Sequence, residues 1–376
     1  MAGAWPDATT HITAANLRPA GFAITLAHQP DMPGVQIALP AHCEVEAMMQ
    51  PRRGIDGQDY SIRFRLRLPE AWNGRLLFQG GGGTNGTVGD AIGPMGVGRA
   101  DALSQGYAVL AQDSGHNDAV NSDPARGGTV AFGFDPVARA NYGGQSLRPV
   151  TLAAKAVVGR FFGKAPRYNY FMGCSKGGQE GMMLAQRYPE LFDGIVAAAP
   201  GFSLPRAGLA EAWNVQAFAG VPQASGQPVT LQNLARAFPP EAGALVRGAV
   251  LAACDRDDGI ADGILGAWGQ CTSAKVLPKL KAAMCRPGSS GACLSAAQVD
   301  AVIKVHEGLR DSAGRRIYPG FPWDAGWFDP GWEIWMTGLS QPAVPALNVV
   351  LGGPSRAAIF STPPQPVPAS PEALLA

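Results

Sequence analysis

Charge is scarce in this chain of 376 residues, of which 16% are Asp, Glu, Lys or Arg. The 30 basic and 29 acidic side chains leave a formal net charge of +1, and no basic block breaks that balance. Neither a nucleic-acid partner nor a membrane surface is therefore expected. Long apolar runs are missing too. The stretch 194–205 is broken by Gly and Pro well short of the roughly 20 residues that a membrane helix needs. Histidine is limited to five and cysteine to six, so few side chains can act as a general base or close a disulfide. Residues 1–10 show neither a basic n-region nor an apolar h-region, and no signal peptide is read there.

What is present is a globular pattern. Glycine (49) and proline (32) make up about a fifth of the chain, below the share at which low complexity becomes the default reading. Residues 60–70 alternate apolar and basic with period two, as a half-buried antiparallel strand does. Trp72-Asn73-Gly74 reads as a turn and 75–79 as a strand running into Gly80–Gly83. A helix-like 98–105 precedes an apolar strand at 107–112, and 147–162 reads as a helix. Strand, helix and strand follow at 168–173, 178–188 and 194–200. Such alternation argues for an α/β sheet with crossover helices. It fails after residue 205, where 206–250 is helical, 254–293 holds four cysteines and 318–340 is rich in aromatics. The expected division is a core at 1–204, a cap at 205–360 and a Pro-rich linker at 361–376.

Gly173-Cys174-Ser175-Lys176-Gly177 fits G-x-S-x-G between a strand and a helix. The mechanism behind that motif needs this context, because a tight strand-to-helix turn lifts the Ser hydroxyl above the sheet. Ser175 is the candidate nucleophile, through an acyl-serine intermediate, with the Lys176 backbone N–H as one oxyanion donor. A second donor is expected from Gly80–Thr84, with Gly82 and Gly83 as the candidates. The same stretch matches G-x-G-x-x-G at Gly81, Gly83 and Gly86. No helix start follows it, so a dinucleotide site is rejected.

Further along, Cys254-Asp255-Arg256-Asp257-Asp258-Gly259-Ile260-Ala261-Asp262-Gly263-Ile264 gathers hard oxygen donors with glycines to fold them inward, which suits Ca²⁺. It is not an EF-hand, since position 12 from Asp255 is Gly266. The plainer reading is a polar turn. Six cysteines by themselves allow fifteen pairings.

The elbow with 185–194 (Ala185-Gln186-Arg187-Tyr188-Pro189 onward) and Ala197–Pro200 resembles the tannase and feruloyl esterase family. So do 68–75, Gln79–Gly83, Asp113-Ser114-Gly115-His116 and 254–264, and the resemblance runs from about residue 5 to Pro364. It implies an α/β-hydrolase core with an inserted, calcium-binding, aromatic-rich cap, acting on small-molecule esters of aromatic acids. It also implies a structural Ca²⁺ held by the side chains of Asp255, Asp258 and Asp262 and the carbonyls of Ile260 and Ile264. The implied disulfides are Cys254–Cys271 and Cys285–Cys293. Cys43 and Cys174 then stand without the partners that the family gives them, and a Cys43–Cys174 bond is the remaining, less favoured option. Disulfides call for an oxidising compartment, so a secreted or periplasmic location is expected. Trp323, Trp327, Trp332 and Trp335 either pack the cap or wall an aromatic acyl pocket. The sequence leaves the oligomeric state open.

The order Ser, then Asp or Glu, then His is expected of such a core. His306 is the one histidine after Ser175, and it falls on the apolar face of a helix opened by a Ser295–Gln298 capping box. His116 is expected to be structural, and His11, His28 and His42 precede the sheet in this reading. The expectation is thus a chain that carries the nucleophile and lacks the catalytic Asp, the His and the C-terminal part of the core. The alternative is a noncatalytic aromatic-ligand-binding relative, and a third reading uses His306 or His116 as base.

Overall fold

The computed structural model describes residues 5–26, 35–94, 101–368 and 370–375. The chain divides into two compact units, Met1–Phe202 and Ser203–Ala376.

The first unit is built on a seven-stranded sheet in the order β1-β4-β5-β7-β6-β8-β9. These strands are β1 (His11–Arg18), β4 (His42–Arg53), β5 (Asp59–Pro69), β6 (Arg75–Gln79), β7 (Ala108–Gln112), β8 (Tyr168–Cys174) and β9 (Gly194–Ala198). Pairing is antiparallel from β1 through β5 to β7 and parallel from β7 through β6 and β8 to β9. The parallel half needs crossovers, and α1 (Leu147–Phe162) supplies one, its limits falling where the sequence places them. Its Val150, Ala153, Ala154, Val157 and Val158 are fully buried at i, i+3, i+4, i+7 and i+8. That stripe packs with Phe64, Leu66, Phe78 and Leu110 of the sheet, and each buried valine contributes about 1.5–3 kcal/mol. On the opposite face the hairpin of β2 (Phe22–Leu26) and β3 (Val35–Leu39) lays Phe22, Ile24 and Ile37 against Leu77 and Val109.

Three expectations need correction. His11 and His42 do not precede the sheet, because they lie in β1 and β4; His28 falls outside the described residues. The helix expected at 98–105 is a run of turns over 101–105, its first part lying outside the described residues. The Pro-rich 361–376 is not a free linker throughout, since Leu375 is buried in the core of the second unit.

That unit is helical. It comprises α3 (Leu204–Ala224), α4 (Pro240–Cys254), α5 (Ser273–Ala282), α6 (Ala296–Glu307) and α7 (Pro330–Met336), besides shorter segments. Both expected disulfides form, Cys254–Cys271 and Cys285–Cys293. The expected capping box opens α6: the Gln298 N–H donates to Ser295 Oγ at 3.1 Å, and the Ser295 N–H donates to Gln298 Oε1 at 2.9 Å. Among the described residues no helix is long and apolar enough to cross a membrane.

Candidate active site

Ser175 sits between β8 and α2 (Lys176–Arg187) with φ 58° and ψ −114°. A non-glycine residue held there costs about 1–3 kcal/mol, so the surroundings must impose it. They do so through the backbone. The Ser175 N–H donates to the Ala198 carbonyl at 3.1 Å, and its own carbonyl accepts from Gln179 and Gly201, each at 3.0 Å. Close approach does the rest. A Cβ on Gly173 would lie 2.5 Å from the Gly177 carbonyl carbon, and one on Gly178 would lie 2.3 Å from the Ala198 oxygen. Ser175 is exposed, and its hydroxyl makes no hydrogen bond among the described residues. The motif therefore adopts the local geometry read from its sequence: a serine held at the carboxyl end of β8 by a turn too tight for side chains.

The loop after β6 is joined to this elbow. Gly80 N–H donates to the Met172 carbonyl at 2.8 Å, and Gly177 N–H donates to the Gly81 carbonyl at 3.0 Å. Gly82 and Gly83 are exposed at the loop's outer edge, and their N–H groups have no partner among the described residues. Lys176 opens α2, so its N–H lacks an intrahelical acceptor. No helix begins at Gly81–Gly86.

Glu180, which the motif does not name, holds these pieces together. It is buried, and its Oε2 accepts the Gly81 N–H at 3.0 Å while Oε1 accepts from Asn85 Nδ2 at 2.8 Å and Ser114 Oγ at 3.3 Å. Lys176 Nζ stands 3.7 Å from Oε1, donates to the Tyr142 carbonyl at 2.7 Å and lies 4.2 Å over the Tyr142 ring. Burial pulls the Lys176 ammonium below its ordinary pKa, and Glu180 works against that shift. A signal was available: Gly177, Glu180, Gly181 and Leu184 form one buried stripe, so a charge there had to find buried partners.

The Asp113-Ser114-Gly115-His116 stretch supports the same loop. Buried Asp113 pairs with Arg63 Nε at 2.7 Å and accepts the Arg63 and Gly115 N–H groups. Burial still pushes its carboxyl up to about 6, against the pull of Arg63. His116 stacks on Phe132 at 3.7 Å, and burial drives its imidazole down to about 3. Buried and stacked, the ring packs against Phe132 in this structure.

The other histidines among the described residues are engaged or distant. His42 Nδ1 is 2.7 Å from the Pro40 carbonyl and its Nε2 is 2.8 Å from Arg67. His306, in the second unit, stacks on Trp323 at 4.0 Å, with Nδ1 2.8 Å from the Phe321 carbonyl and Nε2 2.9 Å from Ser273 Oγ. His11 lies in β1, five strand steps and so about 24 Å from β8. Cys43 is buried in β4 and Cys174 is exposed at the end of β8, both as free thiols. Four strand steps, about 19 Å, exclude a Cys43–Cys174 bond within this sheet.

In the second unit, Trp323 and Trp327 are core residues, with Trp327 stacked on Trp323 at 5.6 Å. Trp332 and Trp335 instead line a cavity of about 450 Å³, together with Phe321, Glu211, Asn214 and Asn348.

In the acidic loop, Asp255 Oδ1 accepts the Gly263 N–H, Asp258 accepts from Ile260 and Gly266, and Asp262 accepts from Ile264, all at 2.9–3.0 Å. Among the described residues no three His, Cys, Asp or Glu form a metal-ligating cluster. Asp257 pairs with Lys275 at 2.8 Å, whereas Asp255, Asp258 and Asp262 meet no basic side chain among the described residues.

A sequence model described as "Tannase and feruloyl esterase" matches residues 43–358. The mono(2-hydroxyethyl) terephthalate hydrolase of Piscinibacter sakaiensis is 42% identical over 97% of this chain and 61% of its own length. A probable feruloyl esterase of Arthroderma benhamiae is 29% identical over 68% of this chain and 44% of its own. The chain thus spans about half to three fifths of the length of these relatives. The crystal structure of feruloyl esterase B from Aspergillus oryzae superposes with a TM-score of 0.68 at 21% identity, over 98% of this chain and 66% of that one. Tannin acyl hydrolase from Aspergillus niger gives 0.62 at 20% identity, over 99% and 66%. At such identity these two speak for the fold. With the elbow, the glycine loop and a match across most of its length, the chain belongs to the tannase and feruloyl esterase family.

Proposed function

We propose that this chain carries the nucleophile and oxyanion loop of a serine carboxylic-ester hydrolase acting on esters of aromatic acids. The observation that carries the reading is Ser175, exposed in a strained elbow beside unpartnered N–H groups of Gly82, Gly83 and Lys176. Ser175 Oγ attacks the ester carbonyl and loses its proton to a general base, and the carbonyl oxygen becomes an oxyanion that those N–H groups stabilise. The C–O bond to the alcohol then breaks, and the alcohol leaves with that proton. Water hydrolyses the acyl-Ser175 ester by the same steps in reverse roles. The engagement of His42, His116 and His306 elsewhere supports a base and acid drawn from residues outside this chain. The open edge of β9, which pairs with β8 alone among the described residues, supports a core that continues. Support for aromatic acids comes from the names of the relatives. The two disulfides favour an oxidising compartment.

A fluorophosphonate probe is expected to add to the peptide that contains Ser175. In the protein that carries the base and acid as well, Ser175→Ala should lose that adduct and at least about 10³-fold of ester turnover. Equal labelling or turnover in the variant would overturn the reading.

We also propose that the acidic loop holds a structural Ca²⁺ through Asp255, Asp258 and Asp262, with the carbonyls of Ile260 and Ile264. The donor set fits, being three carboxylates without basic partners among the described residues and backbone oxygens suited to a hard cation. Ile260 and Ile264 are 60% and 67% exposed, as expected of residues placed for their carbonyls and not for their side chains. The ion would tie the loop down and neutralise its charge. Calcium at a hundredfold excess over Kd should raise Tm by about 5–10 °C relative to EGTA. Asp258→Ala should remove that shift, and an unmoved Tm in the parent would sink the site.

A further inference from the structure

Ser175 is not alone in its backbone strain. Asn85 in the glycine loop and Ser114 beside it also hold positive φ, at 59° and 62°. Residues with a side chain take such values at a cost in free energy, and they persist only where the surroundings impose them. Asn85 carries a second cost. It is buried, and its Oδ1 meets no hydrogen-bond donor among the described residues. Two costs at one buried residue point to a backbone that must stand in one place. What Asn85 holds is the turn that presents Gly82 and Gly83. Its N–H donates to the Gly82 carbonyl at 2.8 Å, which closes the four residues 82–85, and Gly83 takes φ 56° inside that turn. A Cβ on either glycine would meet nothing within 4 Å, and Tyr142 Oη reaches the Gly83 carbonyl only at 3.5 Å. Behind the turn the contacts are close. Asn85 Nδ2 donates to Glu180 Oε1 at 2.8 Å and to Ser114 Oγ, and Ser114 Oγ donates to the same Glu180 oxygen at 3.3 Å.

We propose that Asn85 is a positioning residue for ester hydrolysis: it tethers the Gly82–Gly83 turn to buried Glu180 and Ser114, and so fixes the N–H groups offered to the oxyanion. The inference rests on the reading of Ser175 as nucleophile and of Gly82 and Gly83 as donors. Asparagine suits the position on two counts. It tolerates positive φ better than other residues with a side chain, and its amide supplies two N–H donors for the two acceptors that face it. Aspartate would set a second carboxylate against Glu180. Alanine would keep the backbone strain and lose the tether.

Asn85→Gly separates backbone from tether, since glycine takes positive φ freely and brings no amide. In the protein that carries the base and acid as well, its kcat for p-nitrophenyl benzoate should fall about tenfold with KM changed less than about twofold. That is less than the roughly 10²–10³-fold lost with a donor itself. The Ki of phenylboronic acid should rise about tenfold in parallel. Its boron bonds to Ser175 Oγ, the serine proton passes to the base, and the tetrahedral anion so formed stands where the oxyanion does. A residue that served stability alone would leave that Ki unmoved. Ser114→Gly should cost about threefold in both measures, and the double variant no more than Asn85→Gly, because the two act along one tether. An unchanged kcat and boronate Ki in Asn85→Gly overturn the proposal, whatever happens to the urea midpoint, and so do losses that multiply in the double variant. The esterase reading is measured separately by the Ser175 adduct in the parent, and its absence there would overturn that reading and this proposal with it.

Discussion

Gly178→Ala should destabilise the first unit by more than about 4 kcal/mol, read as a fall in the urea midpoint or as loss of soluble protein. The added methyl carbon would sit 2.3 Å from the Ala198 oxygen and 2.8 Å from the Pro200 Cα. Both obstacles are backbone, so no side-chain rotation can relieve them. Either α2 must move off the sheet or β9 must shift, and β9 supplies the Ala198 carbonyl that holds the Ser175 N–H. The strained Ser175 backbone would lose one of its restraints, and ester turnover should fall with stability. Gly159→Ala is the control. Gly159 lies within α1, where the nearest atom to a new Cβ is 4.0 Å away. That change should be stabilising by about 0.5–1 kcal/mol, as helix propensity dictates. Equal effects at the two sites would refute the close-packing account of the elbow.

Glu180→Ala is the second large effect, at about 3–5 kcal/mol. Removing the carboxylate leaves the buried Lys176 ammonium without its counter-charge and takes the acceptor from Gly81 N–H and Asn85 Nδ2. Each orphaned group retains its full desolvation penalty. Glu180→Gln keeps the shape and one acceptor oxygen, so its cost should be smaller, about 1–3 kcal/mol. Because Gly81 belongs to the loop that presents Gly82 and Gly83, both variants should also slow the chemical step. A fall of about 10²-fold in kcat with KM little changed is the expected signature. Stability lost with kcat intact in Glu180→Gln would reduce Glu180 to a structural residue.

How far the sequence was legible follows from where each signal resides. The elbow was readable because its requirement is local: five residues between a strand and a helix carry the whole geometry. The limits of α1 were readable because its buried positions form one helical stripe. Glu180 was harder, since its partners lie up to 99 residues away in the chain. β1 escaped notice because none of its side chains is buried, so its sequence shows no alternation to detect. In β4, buried Glu44 and His42 disguise the apolar face; Glu44 is met by Arg18 at 2.7 Å and Arg67 at 2.6 Å. The aromatic run 321–335 offered no period by which to separate core from cavity. Trp323 and Trp327 turn inward while Trp335 faces out, a distinction set by tertiary packing alone.

The elbow and its loop are gripped main chain against main chain, at Gly80, Gly173, Gly177 and Gly178. Such a contact has almost no room for mutational drift, since every substitution adds atoms where none fit. The cavity walls of the second unit are side chains, which can be exchanged one at a time within a rigid frame. Random mutagenesis with selection for folded protein should therefore find its accepted changes among residues such as Phe321, Trp332, Trp335 and Asn348, and almost none at the turn that carries Ser175.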